Sequence, residues 1–170
     1  RIWGDHATVL VGDFLLARSL FLINKCKSSE VMGSVTNAAS ELANGQILDI
    51  MISKRLVAFN KDIYFKMIKL KTASLISSSA EVGALLSTTD IAKVRKLKLY
   101  GTNLGISYQL IDDALDLLGD SSKMGKHTME DIKEGKVTLP MLIALDKAPS
   151  KNKKAILKIL QKKNFVRFLK

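Results

Sequence analysis

The stretch Leu104-Gly105-Ile106-Ser107-Tyr108-Gln109-Leu110-Ile111-Asp112-Asp113-Ala114-Leu115-Asp116 decides how the chain is read. Three carboxylates interrupt an apolar helical pattern. Asp112 and Asp116 are i and i+4, one turn apart on one helix face, and Asp113 borders that face. Like charges at that spacing weaken an isolated helix. A cation removes the repulsion. Carboxylate oxygens are hard ligands, and magnesium commonly bridges one or two of them to substrate phosphates. A solvated acidic face is the plainer alternative, since such faces are common.

Working upstream, Thr88, Thr89 and Asp90 are capping types, so this helix is predicted to start near Ile91 and to run through Gly101 and Gly105. Its end is predicted near Leu118-Gly119. A helix over about 61–86 precedes it, with Lys71-Thr72 in its middle. Before that, Ser28 or Ser29 caps a helix over about 30–52, whose apolar positions Val35, Ala38, Ala39, Leu42, Ile47 and Ile50 are helically spaced. Gly45 reads as merely tolerated inside it, and Glu41, Gln46 and Asp49 are its polar members. Residues 7–23 are apolar nearly all round. Asp13 and Arg18 break the run short of the roughly 18 apolar residues of a membrane span, so it is expected to be a central helix of a bundle.

Downstream, residues 119–135 are polar and read as a loop with one short helical turn near Met129 to Lys133. A helix resumes over Leu139 to Leu145, with Pro140 tolerable in its first turn, and another begins at Ala155 to Leu160. No segment alternates with period two between hairpin turns. The fold class is therefore all-α, a single domain over 1–170 with no internal repeat.

The 170 residues suffice for one real core. Hydrophobic content of 47% and charged content of 25% are ordinary for a globular protein. Cys26 is the one cysteine, which excludes an intramolecular disulfide and a multi-cysteine metal site and makes a reducing, cytoplasmic setting the default. The net charge of +11 fits nucleic acid, a membrane surface or small anions. Few aromatics interleave with the lysines, so no stacking surface for nucleic acid is visible.

Three further clusters matter. Lys71-Thr72 pairs a cation with a hydroxyl, though on its own it reads as a surface lysine and a back-bonded threonine. Gly125-Lys126 and Gly135-Lys136-Val137-Thr138-Leu139-Pro140 follow the aspartates. Glycines let a loop close over a ligand, and lysines serve as point charges for phosphate. The spacing is not that of a P-loop. Carboxylates with metal on one side and lysines on the other suit a diphosphate.

On these residues the sequence resembles the trans-isoprenyl diphosphate synthases, nearest the long-chain octaprenyl and solanesyl type. The resemblance rests on Trp3-Gly4 through Ala7-Thr8-Val9-Leu10-Val11-Gly12-Asp13-Phe14-Leu15, Gly45-Gln46 with Asp49, Lys71-Thr72, the Gly105 to Asp116 stretch, Gly125-Lys126 and Gly135 to Pro140, in order. Tyr108 stands where the family usually has phenylalanine. The resemblance implies a helical bundle of the isoprenoid synthase type. It also implies transfer of an allylic prenyl group to isopentenyl diphosphate, giving a long-chain trans-polyprenyl diphosphate of the kind that supplies quinone side chains. Asp112, Asp113 and Asp116 would hold Mg2+, with Asp112 as the first candidate for direct ligation. Lys71, Lys126 and Lys136 would contact the allylic diphosphate, and Thr72 and Gln109 would orient the reacting carbons and stabilise the cation.

The resemblance further implies a homodimer, with helix 7–23 as one candidate contact, and peripheral membrane contact compatible with a greasy product; on the residues themselves no nucleic-acid partner and no transmembrane segment are expected. The family's first aspartate-rich motif has no counterpart here, and the sequence opens Arg1-Ile2 without an initiator methionine. The expectation is a central to C-terminal portion of a synthase, inactive alone. A non-catalytic subunit of a heteromeric synthase and a terpene cyclase of the same fold are the alternatives.

Overall fold

The computed structural model describes residues 4–54, 56–57, 60–119, 129–133, 136, 138–149 and 152–153. The predicted helix at Ala155 to Leu160 lies outside them, as does Lys126. Seven α-helices occur among the described residues, and no strand does: α1 (Gly4–Lys25), α2 (Ser29–Ser53), α3 (Lys61–Ile68), α4 (Ser74–Ser87), α5 (Ile91–Leu118), α6 (Glu130–Lys133) and α7 (Leu139–Lys147). A π-helical segment, Lys69–Ala73, joins α3 to α4.

The helix starts follow local chemistry. Ser28 Oγ accepts the Val31 N–H at 3.2 Å, Asn60 Oδ1 accepts the Ile63 N–H at 2.9 Å, and Asp90 Oδ1 accepts the Ala92 N–H at 2.9 Å. Each short polar side chain satisfies a donor the helix cannot. Pro140 sits in the first turn of α7, where its missing N–H costs nothing.

The α3–π–α4 rod is the middle layer, with α2 on one side and α5 on the other. Ser34 meets Ser78 while Asp49 meets Lys71, so α2 runs antiparallel to the rod. Lys98 meets Glu81 while Gln109 meets Thr72, so α5 is antiparallel to it as well. The C-terminal ends of α2 and α5 are thereby brought to one end of the bundle. Glycines permit the close layers. A Cβ on Gly45 would lie 2.7 Å from Lys71 Cα, and one on Gly105 would lie 2.5 Å from Ala73 Cα. Gly45 is therefore required by packing, not merely tolerated. The wholly buried Tyr64 and Ile68 form a core under that end, flanked by Ile52, Ile106, Leu110, Leu139 and Leu142. Burying a side chain such as Ile68 contributes about 1.5–3 kcal/mol.

Helix α1 differs from the expectation of a central helix. None of its residues is buried, and Leu10 and Phe14 are 67% and 66% exposed. Among the described elements it packs chiefly against α2. An apolar helix becomes central only when other elements surround it, and none of the described ones does. At 22 residues it is also long and apolar enough to cross a membrane by length and composition, with Asp13 and Arg18 interrupting the apolar run. Asp13 and Arg18 lie inside it, and a charge at mid-membrane costs about 2.5–3.5 kcal/mol.

Candidate active site

The rod, α2, α5, α6 and the residues before α7 meet around a cavity of about 220 Å³. Its wall includes Asp49, Tyr64, Lys71, Gln109, Asp112, Asp113, Asp131, Lys136 and Thr138, with Ile52 and Met67 as apolar members. The predicted mid-helix pair falls in the π-helical segment. Inserting an extra residue per turn re-aims side chains, and such bulges occur often at functional sites. Here the segment is wedged between Gly45 of α2 and Gly105 of α5. Lys71 Nζ donates to Asp49 Oδ2 at 2.7 Å, and Thr72 Oγ1 donates to Gln109 Oε1 at 3.0 Å.

The three aspartates of α5 have different surroundings. Asp112 lines the cavity. Asp113, 5% exposed, accepts from Gln109 Nε2 at 2.8 Å on Oδ1 and from the Tyr64 hydroxyl at 2.6 Å on Oδ2. Burial raises its pKa above the usual aspartate value and the negative charges of Asp131 and Asp112 add to this, while the two hydrogen bonds oppose it. Burial, chiefly, and the hydrogen bond to Asp113 also push the Tyr64 phenol up. Asp116, 7% exposed, accepts the Glu130 N–H at 3.2 Å and the Asp131 N–H at 3.3 Å. Its carboxylate thus caps α6 and returns the chain to α5. That turn brings in Asp131, whose Oδ1 accepts from Lys136 Nζ at 3.3 Å.

Lys71, Gln109, Asp112, Asp113 and Lys136 converge on the cavity as the sequence reading grouped them. Thr72 joins through Gln109, and Asp116 joins through α6. Asp49, Tyr64 and Asp131 were not singled out as site residues. Tyr64 carried a legible signal, since it lies seven residues, about two helical turns, before Lys71. No three carboxylate, histidine or cysteine side chains form a metal cage among the described residues. Magnesium does not need one, because it bridges one or two carboxylates to substrate phosphates. The oxygen donors Asp112 and Asp131 fit that use.

A family model described as polyprenyl synthetase matches residues 1–167. The chain belongs to this family. It is 38% identical over 149 residues to solanesyl diphosphate synthase 3, chloroplastic/mitochondrial, of Arabidopsis thaliana, covering 87% of this chain and 35% of that protein. It is 33% identical over 168 residues to the geranylgeranyl diphosphate synthase of Saccharolobus solfataricus, covering 95% of this chain and 50% of that protein. The crystal structure of polyprenyl synthase from Caulobacter crescentus CB15, complexed with calcium and isoprenyl diphosphate, superposes with a TM-score of 0.86 at 36% identity. That match covers 96% of this chain and 49% of that one. The chain thus spans a third to a half of the length of these polyprenyl synthetase relatives.

Proposed function

We propose that the chain supplies the allylic-diphosphate side of a prenyltransferase site. The whole protein would join isopentenyl diphosphate to an allylic prenyl diphosphate and release a long-chain trans-polyprenyl diphosphate, a quinone side-chain precursor. The observation that carries the reading is the cavity where Lys71 and Lys136 face Asp49, Asp112, Asp113 and Asp131. Among the described residues four carboxylates line it against two ammonium groups, which favours entry of an anionic diphosphate together with cations. Oxygen donors favour magnesium, and the calcium in the Caulobacter relative supports a divalent metal of that kind. When bound, magnesium supplies Lewis-acid stabilisation of the leaving diphosphate.

Asp112 is assigned as the direct ligand. Asp113 and Asp116 are assigned with it to the metal side, and their oxygens also accept hydrogen bonds within the protein. Lys71, Lys126 and Lys136 are assigned to the diphosphate, where negative charge grows as the allylic C–O bond breaks. Asp49 orients Lys71 before a ligand arrives. Thr72 and Gln109 are assigned to orient the reacting carbons, Ile52 and Met67 exclude water from the carbocation, and the departing diphosphate takes the proton. A homodimer through the exposed apolar face of α1 completes the assignment. Sedimentation equilibrium showing only monomer, unchanged by Phe14→Glu, would sink that part.

The test of the site is calorimetric titration of this chain with inorganic diphosphate. Binding is expected with magnesium and not with EDTA. Asp112→Ala is expected to weaken it by about tenfold or more, the scale of one charged contact. Equal heats with and without magnesium would refute the reading. With farnesyl diphosphate, labelled isopentenyl diphosphate and magnesium, the chain alone is expected to give no elongated product.

A further inference from the structure

The strongest unexplained feature beside the cavity is a hydrogen-bonded chain that crosses three elements. Tyr64 on α3 donates to Asp113 Oδ2, Gln109 on α5 donates to Asp113 Oδ1, and Thr72 in the π-helical segment donates to Gln109 Oε1. Tyr64 is wholly buried and Asp113 nearly so. A side-chain amide has almost the same shape in its two orientations, and only its partners decide which end is oxygen. An ionised carboxylate accepts and cannot donate. Asp113 therefore draws the Gln109 NH2 group inward and turns the Gln109 carbonyl toward Thr72. The Thr72 hydrogen is committed to that carbonyl in turn. Tyr64 holds the far oxygen of Asp113, which keeps the carboxylate plane aligned with Gln109.

We propose that Tyr64 is a positioning residue that acts through Asp113 to fix the amide of Gln109 and the hydroxyl of Thr72. In this arrangement Asp113, which sits between Asp112 and Asp116 in the sequence, serves the amide. The catalytic importance of this arrangement rests on the site assignment made above; the orientation of Gln109 does not. The polarity of the whole chain follows from one carboxylate. Replacing that carboxylate by an amide, as in Asp113→Asn, reverses the polarity. If the oxygen of the introduced amide takes the Tyr64 hydroxyl, its NH2 faces Gln109, which must present its carbonyl instead and aim its own NH2 at Thr72.

The experiment follows the Gln109 side-chain NH2 resonances in 15N-labelled chain, assigned with Gln109→Glu, alongside magnesium-dependent binding of inorganic diphosphate. In Tyr64→Phe, which deletes only the hydroxyl, the Gln109 pair is expected to shift and collapse toward the values of a mobile amide. In Asp113→Asn the pair is expected to move without collapse, and an unmoved pair in that variant would overturn the proposal. Unmoved Gln109 resonances in Tyr64→Phe would overturn the proposal even if the melting temperature falls. Failure of the wild-type chain to bind magnesium and diphosphate would count against the site assignment, and the Gln109 resonances would then decide the positioning role alone.

Discussion

Two glycines of α2 should respond in opposite ways to the same substitution. At Gly45 a Cβ would lie 2.7 Å from Lys71 Cα and 2.8 Å from the Leu70 carbonyl carbon, with the Lys71 nitrogen nearer still. All three are backbone atoms, so no side-chain rotation relieves the clash. Overpacking of this kind costs about 3 kcal/mol at the upper end of its usual range, and the helix gain of alanine over glycine offsets about 1 kcal/mol. Gly45→Ala is therefore expected to destabilise by about 2 kcal/mol, a fall in Tm of roughly 4–8 °C for a chain of this size. At Gly33 a Cβ would meet nothing within 4 Å. Gly33→Ala should keep the gain of about 1 kcal/mol and raise Tm by roughly 2–4 °C. Thermal melts of both variants followed by circular dichroism make the comparison. Relief of the Gly45 clash requires the π-helical segment to move off α2, so diphosphate binding should weaken as Lys71 leaves Asp49. A Tm rise in Gly45→Ala matching that of Gly33→Ala would refute the wedge between α2 and α5.

Lys71→Met leaves Asp49, 8% exposed, without its ammonium partner. Because Lys71 is itself a third exposed, the cost should be about 1–2 kcal/mol rather than that of a fully buried pair, and Asp49→Asn in the same chain should recover part of it in urea unfolding. Asp116→Ala removes the acceptor of two N–H groups of α6. Hydrogen exchange at Glu130 and Asp131 should quicken, with a loss of about 1–2 kcal/mol, the value of a helix cap, and unchanged exchange would count against the clasp. For Asp113 the native pKa is raised. As pH rises through the ordinary aspartate value of about 3.9, the unfolded chain gives up this proton before the native chain does. The native state then binds more protons, so this group's share of stability falls with rising pH until its native pKa is passed. A wild-type stability curve that does not decline relative to Asp113→Asn over that window would contradict the burial of the carboxylate.

The helices were legible because their signals are local. Asp90 before Ile91, Ser28 before the next apolar period and Pro140 in a first turn each satisfy or spare a backbone group within a few residues. The grouping of Asp112, Lys71 and Lys136 was legible because their order and residue types match a diphosphate chemistry and a family pattern. The π-helical segment was not legible, since nothing in Leu70-Lys71-Thr72-Ala73 departs from α-helical propensity. It forms where Gly45 and Gly105 let two helices press on the rod from opposite sides. The exposure of α1 was equally hidden, because an apolar helix looks the same whether or not anything packs around it.

The sequence by itself determined where the helices begin, that no sheet was to be expected, and which residue types could meet a diphosphate and its metal. Only the tertiary structure gave three neighbouring aspartates different surroundings. Asp112 and Asp113 both line the cavity, Asp113 also accepts from Tyr64 and Gln109, and Asp116 holds the start of α6. Spacing along a helix says which face a carboxylate is on. What it does there depends on groups brought up by other elements, at distances of 2.6 to 3.3 Å that no local rule specifies.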